Sequence, residues 1–159
     1  MILGLQPIGE YVTGLAKSLY TRGFDLTANP LIETDSHGFL AVSVVAVIPS
    51  DSPQGATEIS LRETWRPLPN QRWERHEYTY DLIDRPMNHR RAFHLHDRAA
   101  AEALLGAAVH EHCEETLGQP LCAHYLGREL PHGHVAIDLL MAAWTEPGVY
   151  GCAELICLG

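Results

Sequence analysis

The chain has no long apolar segment and no basic leader. Its longest apolar run, FLAVSVVAVI, spans ten residues from Phe39 to Ile48, about half the length that a membrane helix needs. The N-terminal MILGLQPIGE has no basic residue before its short apolar run, and a proline follows soon after, which argues against a secretory signal. The sequence therefore predicts a cytoplasmic protein without a membrane segment.

The short motifs of common catalytic and metal sites are also missing. There is no glycine-rich phosphate loop, no nucleophile elbow and no HExxH sequence. In HEHCE the second histidine stands two positions after the first instead of four. The four cysteines fit neither a disulfide framework nor the spacing of a zinc ribbon, so reduced thiols are expected. They are Cys113, Cys122, Cys152 and Cys157.

Lysine is scarce, and nearly all the positive charge comes from arginine. The chain has eleven Lys and Arg residues against twenty Asp and Glu, and eight of the arginines lie between Arg62 and Arg98. Arginine is suited to planar recognition of phosphate or carboxylate, so this segment is compatible with a phosphate-bearing substrate such as RNA. The alternative is that the arginines pair with acids on neighbouring strands, namely Glu63, Glu74, Glu77, Asp81 and Asp84.

The length and the hydropathy pattern predict one domain. A chain of 159 residues with 46% hydrophobic residues fits a single core over residues 1–159. Periodicity predicts an α+β fold, in which an antiparallel sheet of about five strands is packed by about three helices. The helices are expected over residues 9–22, 98–117 and 134–147, and the main strands over residues 39–48, 56–67, 72–84, 89–96 and 148–159.

Two clusters of histidines are the most informative feature of the chain. They are HRRAFHLHD at residues 89–97 and VHEHCE at residues 109–114. Strand alternation places His94 and His96 on one side, and Asp97 is a good N-cap for the helix that follows. In that predicted helix, His110 shares a side with Cys113 and Glu114. His112 lies about 200° around the axis, which predicts that His110 with Cys113 or Glu114, or else His112 alone, meets the strand histidines.

A metal site is one interpretation of these clusters. His94, His96 and His110, with either Cys113 or Glu114, would supply three or four ligands. Cys122 and His124 could replace or complete this set. Imidazole and thiolate favour zinc, while a set of histidines and a carboxylate also suits other divalent metals such as iron, manganese or nickel.

Two other interpretations of the histidine clusters involve no metal: a metal-free catalytic site, and histidines with a purely structural role. In the first of these, histidines move protons around a scissile phosphodiester while arginines hold the phosphate. This ribonuclease-like site would use His94, His96, His110, Arg90, Arg91 and Glu114. In the other, the same histidines are structural, at a sheet edge or hydrogen-bonded across a helix turn.

The succession HEYTYDLID, HRRAFHLHD and VHEHCE, within residues 73–114, resembles the TumE-like toxins of bacterial toxin–antitoxin pairs. This pattern of residues is equally similar to that of histidine-rich bacterial proteins outside that family. The TumE resemblance implies an RNA-directed activity and an antitoxin-like protein partner, and it assigns no catalytic residue. The leading hypothesis is therefore a histidine-centred site that binds or cleaves a phosphate-bearing substrate such as RNA. The alternative is a non-catalytic protein-interaction module, self-associating or with a separate partner, with or without one structural zinc.

Overall fold

The computed structural model describes residues 1–96, 109–114, 116–118, 122–125, 129–145 and 157–158. Its two described helices are α1 (Leu5–Tyr20) and α2 (Gly133–Thr145). Its strands are β1 (Ile2–Gly4), β2 (Asp25–Leu26), β3 (Leu31–Thr34), β4 (Leu40–Ile48), β5 (Thr57–Leu68), β6 (Arg72–Asp84), β7 (His89–Leu95), β8 (Val109–Glu114), β9 (Cys122–Tyr125) and β10 (Cys157–Leu158).

All the strands belong to one antiparallel sheet. Eight of them lie in the order β10-β9-β8-β7-β6-β5-β4-β2, while β1 pairs with β6 and β3 pairs with β4. The prediction of about five strands packed by about three helices is therefore wrong, since the described residues form ten strands and two helices. Strands such as β1 and β2 are too short to show a period of two in the sequence, and backbone pairing alone defines them.

The second predicted helix is wrong over its last part. Residues Val109–Glu114 form β8, which pairs with β7 on one side and β9 on the other. Register places Val109, Glu111 and Cys113 on one side of this strand and His110, His112 and Glu114 on the other, as a period of two requires. Pairing with both neighbours overrides the helical preference of the local sequence. The earlier part of that prediction, including the Asp97 cap, lies outside the described residues.

The first and third predicted helices are confirmed. α1 buries the stripe Ile8, Val12, Leu15 and Leu19 and is followed by Gly23 with φ 87°, a conformation that ends helices readily. α2 buries Ala136, Ile137, Leu140 and Ala143. The buried side chains of both helices join those of β4 to β8 in one core. Neither helix is long and apolar enough to cross a membrane.

The sheet has two faces of different character. The core face packs against α1 and α2 and carries the apolar positions of the central strands, which are Val42, Val44, Ile59, Leu61, Tyr80, Leu82 and Phe93. Strand register puts the alternate positions on the opposite face, called the outer face below; these include Thr79, Asp81, Ala92, His94, His110 and His112. Both histidine clusters therefore contribute to the outer face.

A β-bulge in β6 changes the predicted alternation. Thr64 pairs with Glu77 and Trp65 pairs with Arg75, so His76 is an extra residue. Because a bulge reverses the side on which the following residues lie, Arg75 shares the core face with Tyr80 and donates a hydrogen bond to its hydroxyl at 2.9 Å. Strict alternation over residues 72–84 would have put Arg75 on the opposite face.

Candidate metal centre

Three histidines meet on the outer face because two strands lie side by side. His94 of β7 is directly opposite His110 of β8, and their ring centroids are 5.4 Å apart. His112 follows His110 by two residues on the same strand, so it shares that face. Its ring centroid lies 4.8 Å from that of His94 and 4.7 Å from that of His110.

The three side chains form a group that could hold a metal ion. One potential ligand nitrogen from each of His94, His110 and His112 lies within 4.8 Å of the other two. His110 is buried and the other two are half-buried, which limits access of water to the nitrogens. Nε2 of His94 is buried and has no hydrogen-bond partner among the described residues. An unpartnered buried nitrogen costs stability unless something binds it, and a metal ion is such a group.

The electrostatics of the cluster favour neutral imidazoles. Burial, reinforced by the neighbouring His112 and His110, lowers the pKa of His94 to about 3. Burial and the nearby Arg90 guanidinium also lower the pKa of His112, although Asp81 and Glu114 oppose this shift. Neutral imidazole is the form that binds metals, so His94 and His112 do not need to lose a proton near neutral pH before binding.

His96 lies next to this group without belonging to it. Its ring centroid is 5.2 Å from that of His94 and 5.2 Å from that of His110, as alternation along β7 predicted. The side chain is exposed and lines an outer-face groove of about 380 Å³ together with Arg62, Glu77 and Thr79. His96 therefore stands between the buried histidines and an open groove.

Charged side chains border the cluster on one side. Nε of Arg90 donates to Oδ1 of Asp81 at 2.7 Å, and Nη1 of Arg90 donates to Oε1 of Glu114 at 2.6 Å. The hydrogen bond to Asp81 is the main cause of the raised pKa of Arg90. Burial raises the pKa of Glu114, but hydrogen bonds from Arg90 and from the Gly118 amide outweigh it and lower the value. The second carboxylate oxygen of Asp81 lies 4.0 Å from Nε2 of His94.

Two residues predicted for the site lie on the other side of the sheet. Arg91 and Cys113 are register partners on the core face. Nη1 of Arg91 donates to Oε1 of Glu111 at 2.6 Å and to Sγ of Cys113 at 2.9 Å. The structure therefore brings together His94 and His110, with His96, Arg90 and Glu114 around them. It does not bring Arg91 or Cys113 to the same place.

The sequence interpretation did not place His112 together with His110, and it left out Asp81. The phase of a predicted helix allowed His112 only as an alternative to His110, whereas the structure has a strand there. The signal was present, since HLH and HEH have the same spacing and both fit a period of two. Asp81 reaches the cluster because its position pairs with Ala92, next to His94, and only the register of β6 and β7 reveals this.

Most arginines of the segment from Arg62 to Arg98 form ion pairs with carboxylates. Ion pairs link Arg75 to Glu63, Arg66 to Glu74 and Arg90 to Asp81. The alternative in which arginines pair with acids on neighbouring strands is confirmed for these three acids. Further pairs join Arg85 to Glu58 and Arg91 to Glu111.

The comparisons with known proteins give no relative for this chain. No family model, no curated protein and no solved structure matches it. The resemblance of residues 73–114 to TumE-like toxins thus stays a prediction, and any function for the chain has to be argued from the geometry described above.

Proposed function

We propose that this protein binds a divalent metal ion, zinc in the first place, through His94, His110 and His112. The observation that carries the proposal is the convergence of three imidazoles with a buried, unpartnered Nε2 on His94. Zinc binds imidazole nitrogen at about 2.0–2.1 Å. Ligand nitrogens that now lie within 4.8 Å of one another need only small side-chain rotations to reach that distance.

The donor set supports zinc above the harder metals. Three neutral nitrogens suit zinc, copper, nickel or iron, whereas magnesium and calcium require oxygen ligands. Asp81 adds a negative charge beside the cluster, since its Oδ2 lies 4.0 Å from His94 Nε2 and its Oδ1 is fixed by Arg90. A carboxylate beside the ligand nitrogens favours a cation at this place.

A hydrolytic activity on a phosphate-bearing substrate such as RNA is the second candidate. Two observations favour it. Three protein ligands leave a coordination position open, as in catalytic zinc sites, where the metal makes a bound water acidic. The outer-face groove is lined by His96, whose ring lies next to those of His94 and His110, and by Arg62, a cation suited to a phosphate. In this version His96 contacts the substrate, whereas Arg90 only holds Asp81 and Glu114 in position by its hydrogen bonds.

Metal content of the purified full chain tests the first candidate. The protein is loaded with zinc, dialysed, and its bound zinc is measured by mass spectrometry and by competition with a chromophoric chelator. His94→Ala and His112→Ala are each expected to lose one zinc ion per chain, or to bind it at least about 100-fold more weakly. His37→Ala is the matched control, since His37 is exposed in the turn before β4, and it is expected to retain the full zinc content.

Equal zinc content in the wild type and in both cluster variants would contradict the proposal. Turnover of a single-stranded RNA by the zinc-loaded protein then separates the two candidates. Cleavage that disappears in His112→Ala, with His37→Ala unaffected, supports the hydrolytic version. Zinc binding without cleavage, together with unfolding when the zinc is removed, supports the non-catalytic interaction module with a structural zinc.

A further inference from the structure

We propose that the outer-face groove binds a small zwitterion, namely a dipeptide with a free carboxylate and a free ammonium group, through Arg62 and Glu77. This binding site goes beyond the metal centre and does not rest on it, because neither residue is one of the three histidine ligands. The groove has a volume of about 380 Å³, which is within the range of small-molecule sites.

Arg62 and Glu77 bring opposite charges to the groove without pairing with each other. Both line it; Arg62 is exposed and Glu77 is half-buried. Neither forms an ion pair within the part of the chain that the structure describes, whereas Arg66, Arg85 and Arg90 each do. A guanidinium and a carboxylate in one groove can each bind the opposite charge of a ligand.

Strand register sets the separation of the two charged residues. Arg62 of β5 is directly opposite Thr79 of β6, and Glu77 stands two residues before Thr79 on the same strand. Diagonal neighbours of this kind lie about 7–8 Å apart. Two residues of extended chain span about 7 Å, so the carboxylate of a dipeptide reaches Arg62 while its ammonium group reaches Glu77. A single amino acid spans about half of this distance.

The remaining side chains of the groove suit the uncharged middle part of a dipeptide. Ser43, Thr64 and Thr79 line the groove, and their short side chains offer hydroxyl groups to a peptide unit. Leu31, which is 47% exposed, offers apolar surface to a ligand side chain. Glu33 is a second carboxylate in the lining. With one arginine and two glutamates from the outer face, the groove matches a ligand with both charges better than a polyanion such as RNA.

Titration of the full chain with L-alanyl-L-alanine, followed by NMR in a buffer that contains a chelator, provides the test. We expect saturable binding by the wild type. Arg62→Ala and Glu77→Gln are each expected to weaken it at least about tenfold, because each removes a hydrogen bond to a charged group. Arg72→Ala is the matched control, since Arg72 is an exposed arginine of β6 outside the groove, and it is expected to bind like the wild type.

Probes that lack one charge assign each end of the ligand. N-acetyl-alanyl-alanine has no ammonium group and alanyl-alaninamide has no carboxylate, and each is expected to bind the wild type at least about tenfold more weakly than alanyl-alanine. Arg62→Ala is expected to weaken binding of the amide no further, because the charge that Arg62 binds is already missing. For the same reason Glu77→Gln is expected to weaken binding of the acetylated probe no further.

Three results would overturn the proposal. One is the absence of saturable binding of alanyl-alanine to the wild type, and another is equal weakening in Arg62→Ala and Arg72→Ala. The third is a single-stranded RNA oligonucleotide that binds through Arg62 and that alanyl-alanine does not displace. Because the chelator removes metal from every sample, these results leave the histidine proposal untouched. That proposal fails separately, through unchanged zinc content in His94→Ala and His112→Ala.

Discussion

His94 and His110 are directly opposed across the β7–β8 pair, with ring centroids 5.4 Å apart. Opposed residues are the closest side-chain neighbours in an antiparallel sheet. Two HxH segments that pair in this register put up to four imidazoles on a small area of one face. The cluster therefore follows from the register of two strands, and no loop has to hold it in place.

Replacing His94 by valine is expected to stabilise the metal-free protein. Nε2 of His94 is buried without a partner among the described residues, and such an atom costs about 1–3 kcal/mol. Valine is a good strand former and has no polar atom to satisfy. We expect the free energy of unfolding, measured with urea in the presence of a chelator, to rise by about 1 kcal/mol.

His112→Val is the matched control for that experiment. His112 is half-buried, and neither of its nitrogens is among the buried atoms that lack a partner. We expect no gain in the unfolding free energy from His112→Val. A His94→Val protein that is less stable than the wild type under chelation would show that His94 is a structural residue of the metal-free fold.

The core face contains a buried polar network that is separate from the histidine cluster. Oε1 of Glu63 accepts hydrogen bonds from Tyr11, at 2.6 Å, and from Tyr80. Nε1 of Trp65 donates to Oε2 of Glu63 at 3.0 Å, and Nη1 of Arg75 lies 3.7 Å from Oε1. The Glu63 and Arg75 side chains are each 1% exposed, so each depends on the other for charge balance.

Glu63→Gln is expected to destabilise the protein by about 3 kcal/mol, because it leaves the Arg75 charge buried without its counter-ion. Glu74→Gln is the matched control. It breaks the Arg66–Glu74 pair on the same two strands, where the side chains are 51% and 30% exposed, and an exposed pair contributes less than about 1 kcal/mol. Equal losses of unfolding free energy in urea titrations of the two variants would show that burial does not determine how much each ion pair stabilises the protein.

Local patterns in the sequence predict the elements that are long and periodic. α1, α2 and the strands β4 to β7 each span enough residues to show their period, and His94 and His96 were correctly placed on one side. β8 has only six residues, and its period of two is read correctly only when β7 and β9 are known to flank it. The error separated His112 from His110 and put Cys113 beside His110.

Long-range register explains the other differences. The bulge at His76 depends on how β5 and β6 align, and nothing in the sequence of β6 marks it. Likewise the pairing of Cys113 with Cys122, and of His124 with Cys157, is set by the register of neighbouring strands. Such contacts join residues that are far apart along the chain, so a pattern search within one segment does not reveal them.

Gly133 is expected to be required at the start of α2, where the two helices approach each other. A Cβ added to Gly133 would lie 2.8 Å from the Tyr11 hydroxyl oxygen and 3.0 Å from Cδ2 of Leu15. The hydroxyl also accepts a hydrogen bond from the Gly133 amide, so it has little freedom to move away. We expect Gly133→Ala to lower the unfolding free energy by about 1–3 kcal/mol.

Gly9→Ala provides the opposite case on α1. A Cβ at Gly9 meets nothing within 4 Å, and alanine is about 1 kcal/mol more favourable than glycine inside a helix. We expect Gly9→Ala to raise the midpoint of thermal unfolding and Gly133→Ala to lower it. Two alanine variants that both raise the midpoint would show that the helices can separate at Gly133 without loss.

The buried tyrosines are expected to make the protein sensitive to alkaline pH. Burial and the neighbouring Glu63 carboxylate raise the pKa of Tyr11 and of Tyr80 above the ordinary value of 10.0, and burial raises that of Tyr78. The folded chain keeps these protons at a pH where the unfolded chain releases them. The stabilisation is therefore complete below about pH 10 and is lost as pH rises above it, by about 1.4 kcal/mol per pH unit for each tyrosine.

Urea titrations at a series of pH values between neutral and about pH 11 measure this loss. Tyr11→Phe removes one of the three groups, so the decline above about pH 10 is expected to be shallower by about one third of the wild-type slope. The comparison uses the slopes, because Tyr11→Phe also removes a hydrogen bond to Glu63 and lowers stability at every pH. Tyr20→Phe, at a side chain that is 68% exposed, is expected to retain the wild-type slope. A Tyr11→Phe slope equal to that of the wild type would mean that Tyr11 ionises in the folded protein.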